Sequence, residues 1–474
     1  MNSTLPKQPL PGELQSTEEV LYEARRKIYA RAVTGFFARW RVAMVWITQI
    51  IFYGLPWLRW DGRQALLLDL VHRKFYFFGL ILWPQDVIFL ALLLIIAAYG
   101  LFLFTAVAGR LFCGYACPQT VYTEIFMWIE RKVEGDRLAR IRLDSQPMGL
   151  RKLSRKALKH GLWAGLALWT GFTFVGYFTP IDTLAREVAT LSLGGWETFW
   201  ILFYGFATYG NAGFMREQVC KYMCPYARFQ SVMFDRDTLI VTYDPQRGEP
   251  RGKRRRDMPA REQGKGDCVD CSICVQVCPT GIDIREGLQY MCIGCGACAD
   301  ACDQVMDKMN TPRGLIRYSS ENALENRWTR AQQWSHLLRP RILIYSAILV
   351  ALIGVFVGGL AMRQPVKLDV MRDRRVLARE IPGGLLENVY QVQLMNASDK
   401  PRRMRFEVQG PPGLRVVRPA QGVELEPSSN LLRPLELAIP TDNARKGVYH
   451  VEITARSDDA DGVVVHHDST FIVP

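Results

Sequence analysis

The stretch that decides the architecture is CVDCSICVQVCP, residues 268–279, followed thirteen residues later by CIGCGACADAC, residues 292–302. Cys268, Cys271, Cys274 and Cys278, and then Cys292, Cys295, Cys298 and Cys302, each show the C-x2-C-x2-C-x3-C spacing of a bacterial two-cluster ferredoxin. Three thiolates on a tight loop cap three irons of one cubane, and the fourth, beyond the turn, reaches the other cluster. The spacing therefore assigns Cys268, Cys271, Cys274 and Cys302 to one [4Fe-4S] cluster. Cys292, Cys295, Cys298 and Cys278 form the second set. Structural zinc sites usually pair C-x2-C knuckles at wider separation, and disulfides would be reduced in a cytoplasmic segment. Glycines and small residues in 292–302 suit close approach of backbone N–H groups to cluster sulfurs. Asp303 stands where a proline often follows, a position that affects chain direction rather than ligation.

Working outward, the remaining four of the twelve cysteines form an internal repeat, Cys113-Gly-Tyr-Ala-Cys117-Pro118 and Cys220-Lys-Tyr-Met-Cys224-Pro225. On a helix, positions i and i+4 share a face, and the proline after each pair loosens the turn so that sulfurs can converge. Soft thiolates select Cu(I); a dithiol relay or plain burial are the other uses of such thiols. The repeat and the nearby clusters favour a redox or metal role. Met215 and Met223 read as packing rather than ligands.

At 474 residues, with 49% hydrophobic and 22% charged residues, the chain is too long for one small module and too apolar for a disordered protein. Five stretches of about 20 apolar residues predict membrane spans at 41–58, 87–109, 160–181, 196–215 and 341–362. The first 40 residues are polar and basic, unlike a cleavable leader. The short stretch 75–83 reads as interfacial or re-entrant, with Asp86 capping the following helix. Loop 110–159 is rich in Lys and Arg, whereas 182–195 holds only Arg186. The positive-inside rule then puts the N-terminus (1–40), loop 110–159 and segment 216–340 in the cytoplasm, against the mild dissent of the basic loop 59–74. Residues 363–474 fall on the periplasmic side. There, short alternating strands and Pro/Gly turns predict an immunoglobulin-like β-sandwich, free of cysteine.

The expected fold is thus a polytopic α-helical membrane protein. A four-helix region (41–226) carries both CxxxCP motifs. A cytoplasmic loop (227–340) holds the ferredoxin-like domain, with its clusters at about 266–306, and a fifth span (341–362) leads to the all-β domain (363–474). The basic segment 248–267 lacks interleaved aromatics, so it reads as membrane or donor-docking electrostatics, with no nucleic acid as partner. No nucleotide motif is present. His466 and His467 read as ordinary edge histidines. His72 and His160 lie near span ends, where haem would require paired axial partners on facing helices.

Together, WPQD (83–86), AGRLFCGYACPQTVYTEIF (108–126), EQVCKYMCPYARFQSVMFD (217–235) and YMCIGCGACADACDQVMDKMNTPRGLIRYSSEN (290–322) resemble the CcoG/FixG/RdxA family of cbb3-type cytochrome c oxidase accessory proteins, along nearly the whole chain. The resemblance implies an inner-membrane polyferredoxin that reduces Cu(II) to Cu(I) for the oxidase. Copper is then a substrate or transient ligand at Cys113, Cys117, Cys220 and Cys224. The implied partners are oxidase assembly factors or copper chaperones and an unidentified cytoplasmic electron donor; a homodimer is left open. Two other readings stand beside it: a quinol-linked electron conduit, by similarity to nitrate reductase maturation polyferredoxins, and a non-catalytic assembly scaffold.

Overall fold

The computed structural model describes residues 27–256, 260–373, 378–398, 400–443, 445–459 and 462–474. Most of the expected N-terminal segment (1–26) and residues 257–259 of the basic stretch lie outside them.

Among the described residues, two helices are long and apolar enough to cross a membrane, Val87–Ala108 and Pro340–Ala361, with mean hydropathy 2.9 and 2.5. They pack antiparallel, as Phe89 meets Phe356 near one end and Tyr99 meets Tyr345 near the other. The other three expected spans become helices of different extent. Phe36–Gly54 starts five residues before position 41, includes Arg39 and Arg41, and gives way to a tight 3-10 turn, Leu55–Trp57, at Pro56. Leu150–Val175 begins ten residues before position 160, because LRKLSRKALK continues the helical pattern on a basic turn that hydropathy alone discards. It ends at Gly176, ahead of Pro180 and a separate amphipathic helix, Ile181–Thr190. Gly195–Gly210 runs only 16 residues before a π-helical turn, Asn211–Met215. This helix packs closely on Leu150–Val175, where Gly171 and Gly205 let the backbones approach.

The stretch 75–83 is not a re-entrant piece. It supplies two strands, Lys74–Phe77 and Leu80–Leu82, of an antiparallel sheet completed by Leu66–Asp69. Alternating aromatic and aliphatic side chains favour strands, and Phe78, at φ 54, makes the tight turn between them. Asp86 stands at the N-cap position of the next helix, but its side chain makes no cap bond to it. Its carboxylate accepts from the Trp83 N–H (3.1 Å) and pairs with Arg363 (2.6 Å) and Lys367. Lys74 Nζ donates to Ser428 O (2.7 Å), so this small sheet and the Asp86 cluster both bind the C-terminal domain.

That domain is a sandwich of two antiparallel sheets. One orders Arg415–Arg418, Asn430–Pro440, Leu385–Asn396 and Val366–Arg372, with Arg379–Ile381 beside Leu385–Asn396. The other orders Val423–Leu425, Arg402–Gln409, Gly447–Ser457 and Val464–Val473. Alternate residues face inward, and Tyr390, Met404, Leu435, Ile453 and Phe471 fill the space between the sheets. At the opposite end of the helices, strand Ile240–Tyr243 pairs antiparallel with Ile316–Ser319 and closes the cysteine-rich region between them.

Candidate functional site

Each ferredoxin motif turns at equivalent places. The residues flanking the second cysteine, Asp270 and Ser272 in one motif and Gly294 and Gly296 in the other, all have φ between 54° and 70°. Successive turns of this kind point backbone N–H groups inward, where sulfur can accept them, as Cys292 Sγ accepts the Gly294 N–H at 3.4 Å. Cys268, Cys271, Cys274 and Cys302 line one void. Cys278, Cys292, Cys295 and Cys298 line a second, with Cys274 between the two. Burial pushes the Cys292 and Cys302 thiols up to about 12 and Cys274 to about 11, with neighbouring thiols adding to each. Cysteine binds metal as thiolate, so seating a cluster here would release the protons of its ligands. Thiols ringing a cavity with N–H groups aimed inward fit [4Fe-4S] clusters, which supply one-electron transfer when bound.

The two motifs differ in what lies behind them. A Cβ at Gly294 would sit 3.3 Å from the Arg110 carbonyl carbon, and one at Gly296 only 2.7 Å from Phe37 Cγ. Asp270 and Ser272 keep side chains in the same strained conformation, in a loop whose Asp270 and Cys271 are exposed. So the 292–298 loop is pressed against the helical region. Its glycines serve helix docking as well as sulfur approach, which the sequence reading did not foresee.

The first CxxxCP segment lies directly beneath it. A Cβ at Gly114 would come 2.8 Å from Ile293 O and 2.9 Å from Cys295 Cα. Tyr115 donates to Cys295 O (3.2 Å), and Tyr318 closes the same loop through Gly294 O. Neither CxxxCP pair sits on one continuous helix. Cys113 belongs to the short helix Leu111–Tyr115, and Cys117 is extended (ψ 127) ahead of Pro118–Glu134. Cys220 lies in the π-helical turn Val219–Met223, and Cys224 is extended (ψ 109) ahead of Pro225–Met233. Proline denies the preceding residue the helical conformation while fitting the first position of the next helix. Each pair thus straddles a break.

The four thiols are close enough to act on one another. Burial pushes Cys113 up to about 12, with Cys117 and Cys220 adding, and Cys220 up to about 11, with Cys117 and Cys224 adding. The Cys113 thiol donates to Gln230 Oε1 (3.2 Å), and buried Gln230 donates onward to Thr105 (3.3 Å). Among the described residues, no three His, Cys, Asp or Glu side chains are already closed around a single ion. The arrangement is two thiol pairs, each straddling a helix break.

Docking relies on residues whose roles sequence reasoning missed. Asp300, between the cluster ligands Cys298 and Cys302, accepts from the N–H groups of Phe37 (3.1 Å) and Ala38 (2.7 Å), capping the helix Phe36–Gly54 from another domain. Buried Arg41 pairs with Glu124. Arg110 donates to Tyr290 O in the cluster loop and to Ala227 O just past the second CxxxCP. All lie in or beside the notable motifs, but their partners are far off in sequence.

His160, His72 and His467 each have a partner of their own. His160 Nδ1 meets Tyr209 OH (2.9 Å) and His72 meets Asp69 (2.7 Å), and they do not face each other as an axial pair. His467 lies 3.6 Å from Asp369.

Three family models match the chain: a 4Fe-4S binding domain at 90–134, a 4Fe-4S dicluster domain at 215–321, and an IG-like fold at the C-terminal of FixG at 356–474. Protein RdxA of Cereibacter sphaeroides is 42% identical over 461 residues, covering 94% of this chain and 96% of its own. Nitrogen fixation protein FixG of Rhizobium meliloti is 39% identical over 438 residues, covering 85% and 83%. A crystal structure of a FixG-related protein from Vibrio parahaemolyticus aligns with 23% of this chain and 97% of its own, at 22% identity and a TM-score of 0.21. With two ferredoxin-type voids, an IG-like terminal domain and relatives of this similarity over nearly its full length, the chain is an iron–sulfur electron-transfer protein belonging to the FixG/RdxA family.

Proposed function

We propose that this protein crosses the bacterial inner membrane five times and passes single electrons from its clusters to the CxxxCP thiols. There it reduces Cu(II) to Cu(I) during assembly of a cbb3-type cytochrome c oxidase. The observation that carries the electron route is the seat of the cluster loop 292–298 on the helix Leu111–Tyr115, with Cys113 packed among Ile293, Cys295 and Ala297. Electrons leaving the second ligand set have Cys113, the first of the CxxxCP thiols, as an immediate neighbour. Copper gains one electron per ion, the protein loses one, and the thiols release their protons as the metal takes the sulfurs. Thiolates favour the soft monovalent product, which supplies driving force.

The geometry also supports the topology. Helix Val87–Ala108 has the Asp86–Arg363 cluster at its start and Leu239 bonded to Val107 O near its end. The ferredoxin-like and β-sandwich domains therefore lie at opposite ends of a helix of about 33 Å, close to the hydrocarbon thickness of a bilayer. The helices Phe36–Gly54 and Leu150–Val175 reach the same far end, where Tyr177 donates to Phe52 O (2.7 Å) and Leu68 N donates to Tyr177 O (2.7 Å). In this reading a cytoplasmic donor docks on the ferredoxin side. Oxidase assembly factors or copper chaperones receive Cu(I).

The test replaces Cys117 and Cys224 by serine, which keeps size and loses the soft ligand. On dithionite-reduced protein, with a chromogenic Cu(I) chelator and rates normalised to iron, the double variant should keep its cluster absorbance and lose most Cu(II) reduction. Unchanged rates would place the meeting of copper and electrons elsewhere.

A further inference from the structure

Five cationic side chains are buried among the described residues: Arg41, Arg110, Arg140, Lys159 and Arg402. Four of them face a carboxylate: Arg41 faces Glu124, Arg140 Glu130 (2.9 Å), Lys159 Glu134 (3.0 Å) and Arg402 Asp459 (3.9 Å). Arg110, 5% exposed, faces none among the described residues. Its two terminal nitrogens are spent on the carbonyls of Tyr290 and Ala227, and its Nε is buried without a partner. A guanidinium stays protonated even where burial opposes the charge, so an uncompensated positive charge is fixed here. Buried charges without an opposite partner are rare because taking a charge out of water is costly. Something else must offset it.

What surrounds Arg110 is sulfur. The titratable groups that act on it most strongly are Cys113, Cys292, Cys220 and Cys224, one from the second ferredoxin motif and three from the CxxxCP repeat, and they turn negative when they bind metal as thiolates. Its backbone immediately precedes the helix of Cys113, one nitrogen holds the loop two residues before Cys292, and the other holds the turn three residues after Cys224. Arg41 also lies near the second ligand set, beside Cys295, but Glu124 cancels its charge.

We propose that Arg110 is a positioning residue that acts as the shared counter-ion of the second cluster and the CxxxCP thiols. Its charge stabilises the extra electron on the second cluster relative to the first. Its two hydrogen bonds fix the distance between that cluster's loop and the thiol pairs. The inference deepens the proposed electron route and does not depend on copper.

The experiment is an EPR-monitored redox titration of the full-length chain, purified anaerobically and free of copper, for wild type, R110Q and R110K. Glutamine keeps hydrogen-bonding capacity and removes the charge; lysine keeps the charge and gives up the planar two-carbonyl grip. In R110Q one cluster should become at least tenfold harder to reduce, about 59 mV for one electron, while the other stays at its wild-type potential. R110K should hold both potentials near wild type. Wild-type potentials in R110Q, or equal shifts in R110Q and R110K, would overturn the proposal. Should R110Q lose iron, R110K decides: full iron with wild-type potentials supports the charge, and equal iron loss reduces Arg110 to a structural clamp. Because no copper enters the titration, its failure is distinct from failure of the serine double variant above.

Discussion

At Ser272 and Gly296 the same backbone conformation is met by different residues, and the difference is measurable. Ser272 occupies the left-handed region at φ 54 with a side chain, at a cost of about 1 kcal/mol, while Gly296 has a neighbour 2.7 Å from where a Cβ would be. Ser272→Gly should leave iron content unchanged and raise or hold the melting temperature. Gly296→Ser should lower both, because Phe37 would have to leave the capped end of its helix. Equal tolerance at the two positions would mean that the loop 292–298 does not bear on the helices. The cysteines make a companion case. Cys271 is exposed at the outer face, so Cys271→Ala should remove about half of the roughly eight irons expected per chain and leave the other cluster's EPR signal in place. Loss of both signals would contradict independent ligand sets.

Two carboxylates tie the elements together, one at each end of the helices. Asp300 satisfies two free N–H groups at the start of Phe36–Gly54, where a negative charge also meets the positive end of the helix dipole. Asp300→Ala should cost about 1–2 kcal/mol and raise hydrogen exchange at Phe37 and Ala38 while iron stays bound; unchanged exchange would remove the cap. Asp86 is the counterpart. Burial works to raise its carboxyl, but the Lys367 hydrogen bond, the Trp83 N–H and the Arg363 charge outweigh it and leave the group below the usual 3.8. A lowered folded value means that the pairing is fully present above about pH 4 and is lost as pH falls through that lowered value. Asp86→Asn should therefore destabilise the attachment of the β-sandwich by about 3 kcal/mol at neutral pH, read as faster proteolysis near residue 363. As pH falls below the usual 3.8 the difference from wild type should shrink; a gap that stays constant with pH would rule out the charge as the cause.

Across the molecule, what could be read from the sequence was what depends on near neighbours in the chain. Cluster spacing is set within eleven residues, and strand alternation within six, so the ferredoxin motifs and the terminal sandwich were legible. The helix Leu150–Val175 starts ahead of the apolar stretch at 160 because Arg151, Lys152, Arg155, Lys156 and Lys159 make its first turns basic yet helical. The sheet at 66–82 was missed because a short apolar run closed by proline reads alike as strand or membrane piece. Asp300, Gly114 and Arg110 stood in view without roles, since what they touch lies up to 263 residues away. The five-crossing arrangement makes its own prediction at this scale: reporter fusions after Lys159 and after Pro474 should report opposite compartments. The same compartment for both would remove one crossing.

The cap that Asp300 places on Phe37 also sets a clock. Ribosomes add about 5–20 residues per second, so the 263 residues between the two take on the order of tens of seconds to synthesise. Throughout that interval the first helix has emerged with its opening N–H groups unsatisfied, and the floor on which the 292–298 loop will rest is bare. Once that loop settles, Gly114 and Phe37 close the side of it that faces the helices. The contacts that seat the loop are therefore ordered in time by the chain itself: the helices that form its floor come first, and the loop that rests on them comes last.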